Sequence, residues 1–555
     1  MKKVITLLFA LLVVSLAEAQ PKEAWKTAVT LTAYDANGVP IYSGKSFFID
    51  ESGIVVAPYT PFVKAVRAEV VDASGKHYAV TRILGASENY GFVRLATEAK
   101  GVKFLVPIAD STQAAQVGTK LFVVGYQMNK KEVPVSVTVQ KAERYDAAMY
   151  YTTSLGGETK YIGCPLINAS GKVVAVVGSH AGEALDIRLA TALYITANSA
   201  LSRELRILPM QKALPDDAGE AVKYVTLLDA IDPKTALLAM NDYIATYPED
   251  ATGYVMRATR LSALGYYEEA SADFVAAQRF AANGSSPDAV HYAYSRCLYA
   301  TSVRDSTAAA KGWTLKRAYE EATAAQQMNP QPHYLLQQAT CLFEMERYSE
   351  AYAKYQEVNA TELASDETYF ATMLALERAG GDTAQIFALL DKVISLQQRP
   401  YNQRSATYFF ERAQRLVAYG QYRKAVNDYD EFERIIGPRN LNDTFYYMRE
   451  QAELQAHMYQ QALDDIQSAI LSTTPERKPY YQTEEALIYL SCGEYESAKT
   501  IGNEALATLP NYIPLLRILA VAYGETGNKA KARELLTRAK TLGDDTADEL
   551  LKKFE

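Results

Sequence analysis

The second half of the chain repeats one pattern of small and apolar residues with a period of about 34 residues. One position of the pattern is alanine in seven units, namely Ala270, Ala318, Ala351, Ala425, Ala462, Ala498 and Ala532. A repeat of this length forms two helices, and neither helix can bury its apolar face alone. Neighbouring repeats must therefore stack into an extended array, which builds a binding surface and carries no chemistry of its own.

Turns of the form Gly-x-Tyr precede several of these alanines, as at Gly265, Gly420 and Gly493. Together with the alanine position, these turns make the repeat resemble the tetratricopeptide (TPR) family. The resemblance implies a superhelical solenoid of eight to nine repeats over residues 219–545, followed by a polar cap at 546–555. One unit contains an insertion near 302–312, and the unit that begins near 366 is degenerate.

The TPR resemblance also implies a ligand-binding groove lined by the first helix of each pair. The groove positions carried over to this sequence are Thr259, Thr340, Gln414 and Gln451. Their short or amide side chains suit an extended peptide that is held by hydrogen bonds. The alternative interpretation is that these are solvated groove residues without a ligand.

Residues 20–212 have a different pattern, and a linker is predicted at 213–218. Short alternating or apolar runs such as Ala28–Tyr34 and Val135–Lys141 are separated by turn pairs such as Asn37-Gly38. Many short strands with turns of this kind predict an all-β sandwich or barrel.

Three segments of this β half resemble the trypsin-like serine proteases, most closely the periplasmic heat-shock branch. Gly44–Thr60 is similar to the segment that leads to the family's catalytic histidine, Gly85–Leu95 to the strand that bears its aspartate, and Lys160–Gly178 to its nucleophile loop. The resemblance implies a double β-barrel over about residues 25–200, which is roughly a third of the chain.

The catalytic positions of that family fall on residues that cannot do its chemistry. The histidine position falls on Thr60, the aspartate position on Asn89 and the serine position on Ile162. A hydroxyl nucleophile needs an adjacent base that is oriented by a third group. Thr60 cannot take up a proton near neutral pH, and Ile162 has no nucleophilic atom. We therefore expect no catalytic residue and no enzyme activity.

The cysteines leave one catalytic alternative open. Cys164 lies two residues after Ile162, and His180 follows sixteen residues later, so a Cys–His peptidase is the alternative to an inert cleft. The four cysteines are far apart and form no zinc-binding spacing, so no metal site is predicted. We expect buried thiols rather than disulfides, with Cys297 and Cys341 as the one pair worth checking.

The start of the chain predicts export. Lys2 and Lys3, an apolar run and Ala17-Glu18-Ala19 form a signal peptide over residues 1–19, and no later segment is long and apolar enough to cross a membrane. The net charge is −8 and no basic stripe is present, which argues against nucleic acid as a partner. A periplasmic or secreted location follows, and no cofactor is expected.

These observations favour a non-catalytic scaffold or adaptor whose partner is a protein or peptide. Two other functions remain open: an unusual serine- or cysteine-type peptidase, and a chaperone-like holdase. A peptidase would lose cleavage on Cys164→Ala, whereas a holdase would suppress the aggregation of unfolded proteins without cleaving them.

Overall fold

A computed structural model of the chain describes residues 23–125, 133–145, 148–178, 180 and 182–554. The predicted signal peptide at 1–19 lies outside the described residues. The chain divides into two compact units, one that ends at Cys297 and one that begins at Leu298. The predicted architecture is confirmed: two antiparallel β modules are followed by an all-helical array.

The first β module is an antiparallel sheet of six strands in the order β2-β1-β4-β5-β6-β3. An isolated bridge between Phe48 and Val55 links the two outer strands. The alternating sequence of β1 places Val29, Leu31 and Ala33 in the core. These strands are β1 (Ala28–Tyr34), β2 (Pro40–Phe47), β3 (Val55–Pro58), β4 (Arg67–Asp72), β5 (His77–Ser87) and β6 (Phe92–Thr97).

The second β module is a closed barrel in the order β10-β11-β12-β9-β8-β7. Every residue of β11 is buried, which matches its uninterrupted run of valine and alanine. These strands are β7 (Lys120–Val123), β8 (Val135–Tyr145), β9 (Ala148–Thr153), β10 (Pro165–Ile167), β11 (Val173–Val177) and β12 (Glu183–Asp186). The short helices α1 (Ile187–Thr191) and α2 (Arg203–Arg206) follow the barrel.

Between residues 218 and 541 the helices follow one another as nine successive pairs. The first helix of each pair is α3 (Ala218–Ile231), α5 (Ala251–Ala263), α7 (Pro287–Arg304), α9 (Pro332–Glu344), α11 (Asp366–Arg378), α13 (Gln403–Ala418), α15 (Asp443–Gln455), α17 (Lys478–Ser491) or α19 (Ile513–Glu525). The second is α4 (Pro233–Thr246), α6 (Tyr267–Phe280), α8 (Leu315–Met328), α10 (Tyr348–Asn359), α12 (Thr383–Ser395), α14 (Tyr422–Ile436), α16 (Tyr459–Ser472), α18 (Tyr495–Thr508) or α20 (Lys529–Thr541). A last helix, α21 (Ala547–Lys553), ends the described chain.

Local sequence explains where many of these helices begin. Asp250, Asn402 and Asn442 each accept a backbone hydrogen bond at a helix N-terminus. The glycine of the Gly-x-Tyr turn adopts a positive φ between paired helices, 87° at Gly265 and 71° at Gly420, where other residues are strained. The seven repeat alanines are fully buried, because helices can pack this closely only where a side chain is small.

The first helix pair packs on the first β module. Tyr224, Val225 and Met240 share one apolar cluster with Val70 and Ile83 of the sheet. Two backbone hydrogen bonds hold the segment that precedes the first helix pair against β5. The Ile83 N–H donates to the Gln211 carbonyl at 2.9 Å, and the Ala213 N–H donates to the Ile83 carbonyl at 2.8 Å. Residues 218–246 therefore belong to the core of the N-terminal unit.

At the other end of the chain, an aromatic residue closes the last repeat. Phe554 is 3% exposed and packs in the cluster that contains Leu516 and Leu536. A Cβ atom on Gly524 would lie 2.2 Å from the Phe554 ring, so glycine is needed there. The terminal helix covers the apolar end of the array with this side chain.

The four cysteines lie among the described residues and form no disulfide. Cys164 and Cys341 are buried and Cys297 is partly buried, whereas Cys492 is exposed. The expectation of a buried thiol is therefore wrong for Cys492, which follows α17 as its C-terminal cap.

Among the helices of the described residues, none combines the length and apolar character needed to cross a bilayer.

Candidate functional site

Two of the three positions that correspond to the protease triad lie in one small cleft. Thr60 begins a 3-10 turn directly after β3, and Ile162 follows the 3-10 turn Thr159–Tyr161. The cleft has a volume of about 140 Å³, and among the described residues that line it Thr60 is the one with a polar side chain. It is lined by Val56, Ala57, Pro58, Thr60, Gly91, Phe92, Ile162, Gly163, Val176, Val177, Gly178 and Leu185. No lining residue carries a group that titrates near neutral pH.

The third position is not part of this cleft. Asn89 is exposed in the turn between β5 and β6, whereas Gly91 from the same turn and Phe92 at the start of β6 line the cleft. The structure thus brings Thr60 and Ile162 together and leaves Asn89 at the surface.

The loop that the sequence analysis aligned with the protease nucleophile loop uses backbone N–H groups internally. The N–H of Ile162 donates to the Thr159 carbonyl at 3.2 Å, and that of Cys164 donates to the Tyr161 carbonyl at 2.9 Å. The Gly163 N–H donates to the Val177 carbonyl of β11 at 2.9 Å. An oxyanion hole requires N–H groups that point at the reacting oxygen. The N–H groups of Ile162, Gly163 and Cys164 are therefore engaged within the protein.

The position of Cys164 does not suit a nucleophile. Its side chain is 2% exposed and packs in the apolar cluster of the second barrel. The side chain of His180 is 82% exposed, and its Nδ1 atom lies 3.7 Å from Glu183 Oε2. A catalytic Cys164–His180 pair would therefore have to combine a buried thiol with an exposed imidazole.

A single glutamate connects the two loops that carry Thr60 and Asn89. The Tyr59 hydroxyl donates to the Glu204 carbonyl at 2.7 Å, and the Glu88 N–H donates to Glu204 Oε2 at 2.8 Å. Glu204 belongs to α2, which precedes the first helix pair. The shape of the cleft is thus fixed by residues far from it in sequence.

The predicted groove residues of the helical array lie on four different helices. The hydroxyls of Thr259 and Thr340 each donate to a backbone carbonyl of their own helix at 2.8 Å, which engages the donor that a ligand would need. Gln414 is exposed on α13. These three residues carry no feature that distinguishes them from ordinary solvated helix positions.

Gln451 differs, because two carboxyl groups meet at its amide. Its Nε2 atom donates to Glu450 Oε2 at 2.7 Å, and its side chain also lies near enough to Glu484 on α17 to oppose the rise in that group's pKa. Burial raises the pKa of Glu450 to about 8, and it also raises the pKa of Glu484. Sequence reasoning found Gln451 but missed both acids. The available signal was Glu450 itself, which stands where the other repeats have a small residue.

The described residues contain no group of three or more His, Cys, Asp or Glu side chains placed to hold a metal ion. No known protein family and no curated protein matches the chain.

Solved structures resemble separate parts of the chain. The Rv3671c protease from M. tuberculosis in its active form is 17% identical, with a match that covers 31% of this chain and 82% of the other at a TM-score of 0.26. The MamA protein is also 17% identical, over 33% of this chain and 94% of the other, with a TM-score of 0.28. The MamO protease domain from Magnetospirillum magneticum is 14% identical, over 30% of this chain and 96% of the other, with a TM-score of 0.25.

Proposed function

We propose that this chain is an exported, non-catalytic scaffold or adaptor that binds a protein or peptide partner. The helical array supplies the binding surface, and the protease-like unit retains its fold without a working catalytic centre. No cofactor takes part, and the partner is a polypeptide rather than nucleic acid, in keeping with the net charge of −8.

The proposal that the chain is non-catalytic rests on which residues line the cleft. A protease of this type needs a nucleophile, a base and free N–H donors in one place. Here the cleft contains Thr60 and Ile162 at two of those positions, and the Ile162 N–H donates to Thr159. Cys164, the one alternative nucleophile, is buried.

Activity assays test this part directly. The chain from residue 20 onward is incubated with casein and with fluorogenic peptide mixtures, and trypsin serves as the positive control. We expect no hydrolysis above buffer, no labelling by a fluorophosphonate, and the same result for Cys164→Ala. Hydrolysis that disappears in Cys164→Ala would establish the cysteine peptidase instead.

The binding part is tested by affinity capture from an envelope extract with the uncut chain as bait. The chain must stay whole, because a cut between residues 212 and 218 would strip Tyr224 and Met240 from the sheet that they cover. We expect a discrete partner that saturates at fixed stoichiometry. Capture of many unfolded proteins, with suppressed aggregation of a model client such as citrate synthase, would establish the holdase instead.

A further inference from the structure

Glu450 occupies a position that is alanine in several other repeats. It precedes Ala462 by twelve residues, and the same interval before Ala270, Ala351 and Ala425 leads to Ala258, Ala339 and Ala413. Those three alanines and Glu450 are all 0% exposed. A carboxyl group in such a place is unfavourable unless it is matched by partners, so its presence calls for a physical reason.

The described residues supply a hydrogen-bond partner for only one of the two Glu450 carboxyl oxygens. Glu450 Oε2 accepts from Gln451, but Glu450 Oε1 is buried without a hydrogen-bond partner in the described part of the chain. The Gln451 amide also lies near Glu484, which reaches the same place from the next helix pair. Neither acid forms an ion pair with a described residue. The nearby Arg477 and Arg449 are already engaged, Arg477 by Asp443 and Arg449 by Asp465.

Two pairs of aromatic rings lie near these two acids. Tyr447, one helical turn before Gln451, packs on Tyr481 with ring centroids 5.4 Å apart. Tyr480 and Tyr512 lie edge to face at the same separation of 5.4 Å. The pKa values of Tyr447 and Tyr512 are raised by burial and then by the charge of Glu484, so Glu484 lies near both tyrosines. Tyr480 is 46% exposed, so solvent reaches this side of the array.

A carboxyl group next to aromatic rings attracts a cation, because the face of each ring is negative and Glu484 can carry the opposite charge. A Lys or Arg side chain fits better than a metal ion, since its aliphatic stem packs on tyrosine rings while its charged end reaches the acids. We propose that Tyr447, Glu450, Gln451, Tyr480, Glu484 and Tyr512, the acidic aromatic site, bind a lysine or arginine side chain of a polypeptide partner. This names the partner chemistry of the proposed scaffold and rests on that function.

The probe is a nine-residue peptide, blocked at both ends, with one central lysine among alanine and serine. Its affinity for the whole chain is measured by NMR or calorimetric titration against the same peptide with acetyl-lysine. We expect the lysine peptide to bind at least about tenfold more tightly. Carbodiimide, which joins a carboxylate to an amine, is expected to cross-link it at Glu484, as located by mass spectrometry.

Three variants make the test specific. Glu484→Gln keeps the shape and removes the charge, and it is expected to lose the cross-link and at least about tenfold in affinity. Tyr480→Leu changes an exposed ring, so it should fold normally and still weaken binding. Glu496→Gln removes the same charge from a side chain that is 79% exposed and paired with Lys499, and it should change nothing. Equal affinity for the two peptides, or unchanged affinity in Glu484→Gln, overturns the inference.

Failure of this inference is distinguishable from failure of the scaffold function. If the whole chain and Glu484→Gln capture the same partner equally well, the scaffold function stands and the cationic site is wrong. If the lysine peptide binds at Glu484 but no partner is captured from the extract, the site stands and the scaffold function is wrong.

Discussion

Arg412 and Asp428 face each other within one helix pair, and their guanidinium and carboxylate groups share two hydrogen bonds of 2.7 Å. The two residues are 16 positions apart, so one lies on the first helix and the other on the second. The same spacing and the same paired hydrogen bonds join Arg257 to Asp273 and Arg449 to Asp465. In three repeats, a bidentate Arg–Asp ion pair therefore joins the two helices.

Loss of Arg412 leaves Asp428 buried without its cation. The two side chains are only 20% and 6% exposed, so Arg412→Ala is expected to lower the free energy of unfolding by about 3 kcal/mol. Arg434→Ala is the matched control on the same helix pair, since Arg434 is 59% exposed and solvent screens its pair with Glu431, so little loss of stability is expected. Urea unfolding followed by circular dichroism measures both. Equal effects of the two variants would contradict the structural role of the Arg412–Asp428 pair.

The pKa of Glu450 predicts a pH dependence of stability. Burial raises this pKa from 4.5 to about 8, and the charges of Glu484 and Asp465 act in the same direction against one hydrogen bond from Gln451. Between these two pH values the folded chain keeps a proton that the unfolded chain has lost. Stability therefore falls as the pH rises through this window, by up to about 1.4 kcal/mol per pH unit.

Glu450→Gln stays neutral at every pH and keeps nearly the same shape. Its stability is expected to fall less steeply than that of the unmodified chain between pH 5 and 8, as measured by unfolding in a series of buffers. The difference between the two curves isolates Glu450 from the other buried acids, Glu453 and Asp465. Glu496→Gln, at an exposed position, should leave the curve unchanged. Parallel curves for Glu450→Gln and the unmodified chain would show that Glu450 is already ionised when folded.

Glycine is required at position 163 because of the backbone conformation there and because of the neighbouring atoms. Its φ is 82°, and a Cβ atom there would lie 2.3 Å from the carbonyl oxygen of Lys45. Gly163→Ala is expected to destabilise the N-terminal unit by at least about 2 kcal/mol. Gly157→Ala, in the preceding loop, meets no atom within 4 Å and should leave the melting temperature unchanged. Similar melting temperatures for the two variants would mean that the loop can rearrange.

Restoring the three missing side chains should not restore catalysis. The triple variant combines Thr60→His, Asn89→Asp and Ile162→Ser. Its new serine would still lack an oxyanion hole, because the N–H at position 162 donates to the Thr159 carbonyl. The new aspartate would start from an exposed turn. We expect hydrolysis of fluorogenic peptides to stay at the level of the unmodified chain. Turnover by the triple variant would show that the loop opens on substrate binding.

The helix pairs were predictable from the sequence, because their determinants are local. The period of small residues, the Gly-x-Tyr turns and the capping residues such as Asn402 all act within a few positions of the helix that they specify. The alternation within Ala28–Tyr34 likewise matches β1 residue for residue. Short strands such as β10 (Pro165–Ile167) were not predictable, since three residues carry too little pattern and their pairing partners lie elsewhere in the chain.

The sequence by itself determined that Thr60, Asn89 and Ile162 cannot form a triad, because that depends only on which atoms these side chains carry. It also determined that helices pair where alanine recurs. Only the tertiary structure decided that the loop N–H groups are occupied, that residues 218–246 cover the first sheet, and that Glu484 meets Glu450 across two helix pairs. Each of these depends on contacts between distant segments, and no local pattern of residues encodes such contacts.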